Sequence, residues 1–498
     1  MIQNPKKFFS KKRNVLIIYS IAVFTASFFT YFVQYNYPPA VFWDENYHIA
    51  SAEKYIDGVM FMETHPPLGK MFIALGEYFI QPNKSLDLHK FSETDYIKDF
   101  PQGYSFAGVR FFPSLFAWLS ALIFFFIFYL LSKNPHLSAI FSSLYIFENA
   151  LIVHSRSAML EGSHLFFILL SVLYFSYLIG KNTKIKKTSY FILGLLIGFS
   201  FMVKATGAIT FLLFLFLFAY DHGDKIKEWR RNIFPLFKNF SLKLILILVG
   251  ISAIFFPVWY IHFSLGKTIA NDKAYSASEK YKEIIANGGT ANPLNFFVML
   301  KDNLKYMANY NKGVPRLDVC KLDENGSYPL VWPVGDKSIN YRWEKNDEGV
   351  RYLYLQSNPI IWFSALIGVI LSLVLIISKY IYKLELKNKR IFYLIICFTF
   401  MYVSYMAIML RIGRVMYLYH YFIPLIFSFI ISFLIFNYLF SEKLQNNRKI
   451  IYCSIIVFLL LIISSYQFYS PLTYYKPLKT DEFNQRIWFD FWKLKAIE

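Results

Sequence analysis

Two adjacent carboxylates, Asp44 and Glu45, stand inside the run Phe42-Trp43-Asp44-Glu45-Asn46-Tyr47-His48. Aromatic neighbours partly desolvate such a pair, which raises a carboxylate's pKa and suits it to accept a proton. The bland alternative is a solvated acidic loop. Further along, Glu63-Thr64-His65-Pro66-Pro67-Leu68-Gly69-Lys70 adds a histidine, a cation and a proline pair. The prolines hold the chain extended before a helix can begin at Leu68. Other ionisable groups lie in or beside apolar stretches: Arg110, Arg156, Glu161, Lys204, Arg411 and Arg414. At membrane depth such groups are expensive and mark function by default, although a single Lys or Arg also snorkels to the headgroups.

The elements that must position these residues are membrane helices. The chain has 498 residues, 56% apolar, 20% aromatic and 17% charged, with a mean hydropathy of +0.38. Soluble domains carry charge at about a quarter of their residues. An ordinary cytosolic enzyme, a disordered chain and a secreted disulfide scaffold are therefore excluded. Cys320, Cys397 and Cys453 form neither a disulfide framework nor a Cys/His metal site.

A spanning helix needs about 20 mostly apolar residues. Such runs fall at 15–33, 109–131, 137–153, 161–180, 190–204, 206–220, 242–263, 358–378, 391–410, 415–440 and 450–470, eleven in all. The pair around Lys204 is short. The first run lacks a cleavage site and reads as an uncleaved anchor. With the N-terminus in the cytoplasm, segments 1–14, 132–136, 181–189, 221–243, 379–390 and 441–449 are cytoplasmic and hold 24 of the 52 Lys and Arg residues. The short loops opposite carry only Arg156, Lys204, Arg411 and Arg414. This asymmetry follows the positive-inside rule. It also explains much of the net charge of +20 without nucleic acid as a partner.

The expected fold is an all-α polytopic membrane protein. Its parts are a cytoplasmic N-terminus (1–14), a transmembrane module (15–263) that includes external loop 35–108, a large external loop (264–357), C-terminal transmembrane helices (358–470) and an external tail (471–498).

Asp44-Glu45, then His65-Pro66-Pro67-Leu68-Gly69-Lys70 and Ile73-Ala74-Leu75-Gly76, in that order in the first external loop, resembles the protein O-mannosyltransferases. The likeness extends to Arg110 before the second span, to Asn149 through Glu161, to Val203-Lys204, and to Tyr419-His420-Tyr421 with Pro424. Trp332-Pro333 and Asn358-Pro359-Ile360-Ile361-Trp362 fit the family's bacterial pattern. The resemblance implies a GT-C glycosyltransferase fold with about eleven transmembrane helices and two large extracytoplasmic loops. It implies transfer of mannose, with inversion, from a polyprenyl- or dolichyl-phosphate donor to Ser or Thr of an exported polypeptide. The site would then lie at the outer face of the cytoplasmic membrane, in contact with membrane lipid and with the secretion machinery as a further partner. The chain departs from the family's eukaryotic members in that loop 264–357 is too short for their β-trefoil module. It departs also in carrying Glu161 where the family often has Asp.

In that reaction a hydroxyl displaces a lipid phosphate at sugar C1, so a carboxylate must take the hydroxyl proton. Asp44 is the expected base, with Glu45 holding the acceptor or the sugar hydroxyls. Charge growing on the phosphate calls for cations. His65, Lys70, Arg110, Lys204 and His420 are the donor-side candidates; Arg156, Glu161, Arg411 and Arg414 are acceptor-side or supporting groups. No dedicated metal motif occurs, so no cofactor is required, while Mg²⁺ or Mn²⁺ remains compatible with hard oxygen ligands. Two other readings stand beside this one. A GT-C transferase of the aminoarabinose-transferase kind would modify a glycolipid or envelope glycan. A lipid-linked sugar flippase is a weaker match, because the repeated halves common in transporters are missing.

Overall fold

The chain folds, in a computed structural model, into an assembly of helices with one small sheet, described over residues 5–181, 183–321, 324–441 and 448–497. Helix α1 (Pro5–Ser27) runs into a π-helical turn (Phe28–Phe32). The first polar segment forms α2 (Glu45–Asp57) and α3 (Leu68–Ile80). Then come α4 (Phe111–Ser132), α5 (Pro135–Ile146), α6 (Asn149–Ser155), α7 (Glu161–Gly180), α8 (Lys187–Val203), α9 (Leu212–Asp221) and α10 (Trp229–Leu265). The second polar segment holds α11 (Glu279–Ala286), α12 (Phe296–Gly313), β1 (Ile339–Asn346) and β2 (Gly349–Leu355). Helices α13 (Pro359–Tyr382), α14 (Lys389–Met409), α15 (Phe422–Phe440) and α16 (Arg448–Thr473) precede β3 (Pro477–Leu478).

Among the described residues, eight helices are long and apolar enough to cross a membrane, and nine if α5 and α6, bent by 62° at their break, form one span. The runs at 190–204 and 206–220 are helices Lys187–Val203 and Ala205–Asp221, shorter than the usual span. A total of eleven rests on those two. Ile367, Ile370, Val374 and Ile377 of α13 are all exposed, an apolar face of the kind a helix presents to lipid, which offers no hydrogen bonds. Residues 1–4 of the expected cytoplasmic N-terminus, and 442–447 of segment 441–449, lie outside the described residues.

The helices gather into two compact units. The first comprises 34–117 and 155–315. Here α2 packs on α3, α3 on α8, and α8 lies along α10. Their shared core includes Ile49, Ile73, Val109, Leu160, Val203 and Trp259. The proline pair acts as the sequence predicts: Pro67 caps α3, which begins at Leu68.

The second unit comprises 1–33, 118–154 and 316–498. It adds an element that an all-helical reading omits. Strands β1 and β2 form an antiparallel hairpin, and β3 of the tail pairs with β2. Tyr352 and Tyr354 of β2 pack with Tyr469, Phe483 and Trp492 in a small core of their own. The turn is marked by Gly349 at φ +136°, which a side chain adopts rarely. Among the described residues of 264–357 this is the one hairpin, so the segment holds no trefoil.

Candidate active site

Trp43 adopts a left-handed conformation (φ +51°) and turns the chain into α2, with Asp44 at the N-cap. The Asp44 side chain makes no capping bond and is half-buried. Its charge is felt by Tyr47, whose phenol is raised above its ordinary pKa first by partial burial and then by Asp44. Tyr47 is itself exposed, so this end of α2 is open.

Glu45, one residue on, faces the interior and is fully buried. Its Oε1 accepts from Arg110 Nε (2.7 Å) and the Ala158 amide (2.8 Å); Oε2 accepts from Arg110 Nη2 (2.8 Å) and the Phe42 amide (3.1 Å). Arg110 donates its remaining bonds to the carbonyls of Asn36, Pro38 and Ala40. Its guanidinium lies over the rings of Phe106 and Phe42. All five N–H donors of Arg110 are thereby used. This corrects two expectations. Glu45 cannot hold an acceptor, because its oxygens are occupied and shut off from solvent. Arg110 has no donor left for a phosphate.

Lys70 is likewise enclosed. Its ammonium donates to Glu63 (2.8 Å) and Ser51 (3.1 Å). Glu63 also accepts from Tyr55 (3.0 Å), and its backbone is bonded by Asn303. Burial raises the Glu63 pKa, opposed by Lys70. Lys70 thus neutralises a carboxylate that the sequence did not single out. His65, half-buried, precedes the Pro66-Pro67 pair in the same loop.

Lys204 ends α8 in an extended conformation, and its ammonium pairs with Glu161 at 2.6 Å, with 13% and 9% of the two side chains exposed. Glu161 begins α7, as expected of the start of the fourth span. His48 joins this group. Its Nδ1 is 2.8 Å from the Ala158 carbonyl. Its pKa is held down at about 3 by burial first and then by Lys70, with Lys204 adding and the Ala158 carbonyl and Glu161 opposing. One turn along α2, His48 N–H donates to the Asp44 carbonyl (3.3 Å). Asp44, His48, Lys70, Glu161 and Lys204 therefore gather in the first unit. His48 was legible as part of the motif run, and its helical i, i+4 spacing from Asp44 was the signal for it.

Arg156 also belongs to the first unit, is buried, and donates from Nη2 to the Gln34 carbonyl (2.5 Å). Arg411, Arg414 and His420 belong to the second unit. Arg411 is exposed and Arg414 half-buried. His420 is buried, its Nδ1 lies 3.0 Å from the Tyr417 carbonyl, and its ring stacks on Tyr419. Among the described residues, no three His, Cys, Asp or Glu side chains converge as a metal-binding group.

Residues 21–265 match the family model described as dolichyl-phosphate-mannose-protein mannosyltransferase. Residues 296–492 match the C-terminal four-transmembrane region of protein O-mannosyltransferase. The chain belongs to the protein O-mannosyltransferase family.

Similar relatives include a Candida albicans dolichyl-phosphate-mannose–protein mannosyltransferase 5, 26% identical over 232 residues, covering 45% of this chain and 31% of the relative. A Danio rerio protein O-mannosyl-transferase 1 is 28% identical over 259 residues, covering 51% and 34%. These matches span about a third of the relatives' own length. Among solved structures, the S. cerevisiae protein O-mannosyltransferase Pmt1–Pmt2 complex bound to the sugar donor matches with a TM-score of 0.76 at 15% identity, over 99% of this chain and 93% of that one. The family's GT-C fold is thus present here, and the Asp44-Glu45 pair falls at the start of α2.

Proposed function

We propose that this chain transfers mannose from a polyprenyl-phosphate donor to Ser or Thr hydroxyls of exported polypeptides, at the outer face of the membrane. The observation that carries the reading is the division of labour between adjacent carboxylates. Glu45 is fully engaged by Arg110 and two amides, whereas Asp44 stands half-buried at the open end of α2. Asp44 takes the hydroxyl proton as the oxygen attacks sugar C1, and the bond from C1 to phosphate oxygen breaks. The attack from the opposite face inverts the anomeric centre. Lys204 is the cation assigned to the departing phosphate: though paired with Glu161, its side chain is more open (13%) than those of Lys70 (8%) and Arg110 (0%). His48, neutral and with its Nδ1–H donating to the Ala158 carbonyl, keeps Nε2 to accept one hydrogen bond without adding charge. Glu45 and Arg110 are positioning residues that fix the start of α2.

Purified protein, a polyprenyl-phosphate mannose and a Ser/Thr peptide make the test: mannosyl-peptide of inverted configuration is expected. Transfer to a glycolipid but to no peptide would replace the acceptor. The charge of the phosphate is met by side chains in this scheme, so transfer is expected to survive EDTA. Orientation is tested separately. Exposed Cys320 should react with a membrane-impermeant maleimide in intact cells, and labelling only after lysis would reverse the topology.

A further inference from the structure

The polar loop that follows α3 returns to α2 and is fastened there, a feature the transfer chemistry does not use. Asn46 and Ile97 exchange two bonds: Asn46 Nδ2 donates to the Ile97 carbonyl, and the Ile97 amide donates to the Asn46 carbonyl (3.4 Å). Asp95 is held by more partners. Its Oδ1 accepts from Lys54 of α2 and from the Tyr275 hydroxyl (2.5 Å), and its Oδ2 pairs with Lys273 of the second polar segment. Lys54, which is buried, also donates to the Tyr275 hydroxyl (3.0 Å). Between these two fastenings stands Tyr96, whose ring meets that of Tyr47 edge-on at 4.9 Å. Tyr47 lies one turn past Asp44 and two turns before Lys54, so the three share a side of α2. Its phenol is raised by partial burial, then by Asp44, Tyr310 and Tyr96 in that order, so Tyr310 of α12 belongs to the same group. All of these residues lie in the first unit. Tyr47, Tyr96 and Tyr310 are 47%, 42% and 46% exposed. Three large rings thus face outward beside the proposed base, one of them on a loop held from both sides.

We infer that Tyr47, Tyr96 and Tyr310 form the surface on which the acceptor polypeptide lies as its hydroxyl reaches Asp44, with Asn46 and Asp95 as positioning residues that hold that surface in place. The inference rests on the polypeptide-acceptor reading above. The chemistry of the surface favours a polypeptide over the donor. The donor's phosphate calls for cations, whereas Lys54 and Lys273 are paired with Asp95 and the exposed groups are phenols. A phenol offers an apolar ring face, together with a hydroxyl that donates to or accepts from a peptide group. The three rings come from α2, from the loop after α3 and from α12, none of which is a candidate membrane span. The surface therefore belongs to the polar segments. A surface fixed in advance also binds more tightly, because less side-chain and loop freedom is lost when the peptide arrives.

Kinetics of the full-length protein in detergent separate acceptor from donor. Tyr96→Ala and Tyr310→Ala should each raise the KM for a Ser/Thr peptide about five- to tenfold, the loss expected when an interface tyrosine is truncated. The donor KM should stay within about twofold, since only acceptor binding is removed. Tyr96→Phe, which keeps the ring, should resemble the parent. Asp95→Ala should raise the acceptor KM in the same direction, and Asp95→Glu, which keeps the charge, should recover most of the loss. Because Asp95→Ala strips the counter-charge from buried Lys54 and can disturb folding, the two exposed tyrosines decide the matter by themselves. An acceptor KM unmoved by both tyrosine variants, or a rise in donor KM in its place, would overturn the inference. Fluorescence anisotropy of the labelled peptide, without donor, distinguishes this failure from failure of the function. A parent that mannosylates the peptide while both tyrosine variants bind it as tightly would leave the function standing and remove the surface. Tyrosine-dependent binding without transfer would keep the surface and remove the polypeptide-acceptor reading, and a parent that binds no peptide would remove both.

Discussion

At the scale of single residues, adjacency in sequence conceals opposite fates. Asp44→Asn keeps the size of the base but cannot take the hydroxyl proton. Single-turnover transfer should fall by about 10²- to 10⁴-fold, with the melting temperature unchanged. Glu45→Gln does something different. It leaves the fully buried Arg110 without its counter-charge, and breaking a buried pair costs about 3–5 kcal/mol. Thermal melting in detergent should register that loss, and activity should track the folded fraction. A stable Glu45→Gln protein with reduced turnover would return Glu45 to the chemistry. Lys70 and Glu63 form a second enclosed pair. Lys70→Met should destabilise strongly, and adding Glu63→Gln should recover part of the loss, a coupling that a double-mutant cycle measures.

At the scale of elements, the glycines of the second motif separate packing from chemistry. Gly76 of α3 faces the backbone of the chain entering α4: a Cβ there would stand 2.3 Å from the Gly108 carbonyl oxygen. Backbone cannot step aside as a side chain can. Gly69, inside the His-Pro-Pro-Leu-Gly-Lys run, would place a Cβ 2.8 Å from Leu160 Cδ2 and 3.1 Å from Val203 Cγ1. Both are the ends of side chains that can shift. Gly76→Ala should therefore cost more than Gly69→Ala, with overpacking worth about 1–3 kcal/mol. Differential scanning fluorimetry of the two variants decides the order, and a larger loss at Gly69 would show that the motif glycine is held for more than space.

For the whole molecule, α2 carries groups that bound the stable pH range from both sides. His48 in the folded protein titrates near 3, below its ordinary 6.5. Between those values the unfolded chain binds a proton that the folded state refuses, so stability falls as pH drops from 6.5 toward 3. Glu53 titrates near 8, above its ordinary 4.5. Between those values the folded state keeps a proton that the unfolded chain releases, so stability falls as pH rises from 4.5 toward 8. His48→Gln should flatten the acid limb of a melting-temperature profile, and Glu53→Gln the alkaline limb. Profiles that keep both limbs unchanged would show that other groups set the range.

Much of this protein is written in its order of residues. Apolar run length determined where helices form, because a segment that must satisfy every backbone group without water has only the helix available. Pro66-Pro67 determined where α3 starts, because proline fixes φ and lacks the N–H that a helix interior needs. The pairing of Asp44-Glu45 with the later proline motif was enough to indicate the family. Partnership was not legible. Arg110 meets Glu45, Lys70 meets Glu63, and Lys204 meets Glu161 through helix packing that brings distant segments together. No local pattern states which carboxylate a cation will neutralise. The hairpin of β1 and β2 was missed for the same reason, since its support comes from β3 and Trp492 at the far end of the chain. Tertiary structure alone decided that Glu45 is enclosed and Asp44 is left at the open end of α2, because one helical step of about 100° at 3.6 residues per turn turns one carboxylate toward Arg110 and its neighbour away.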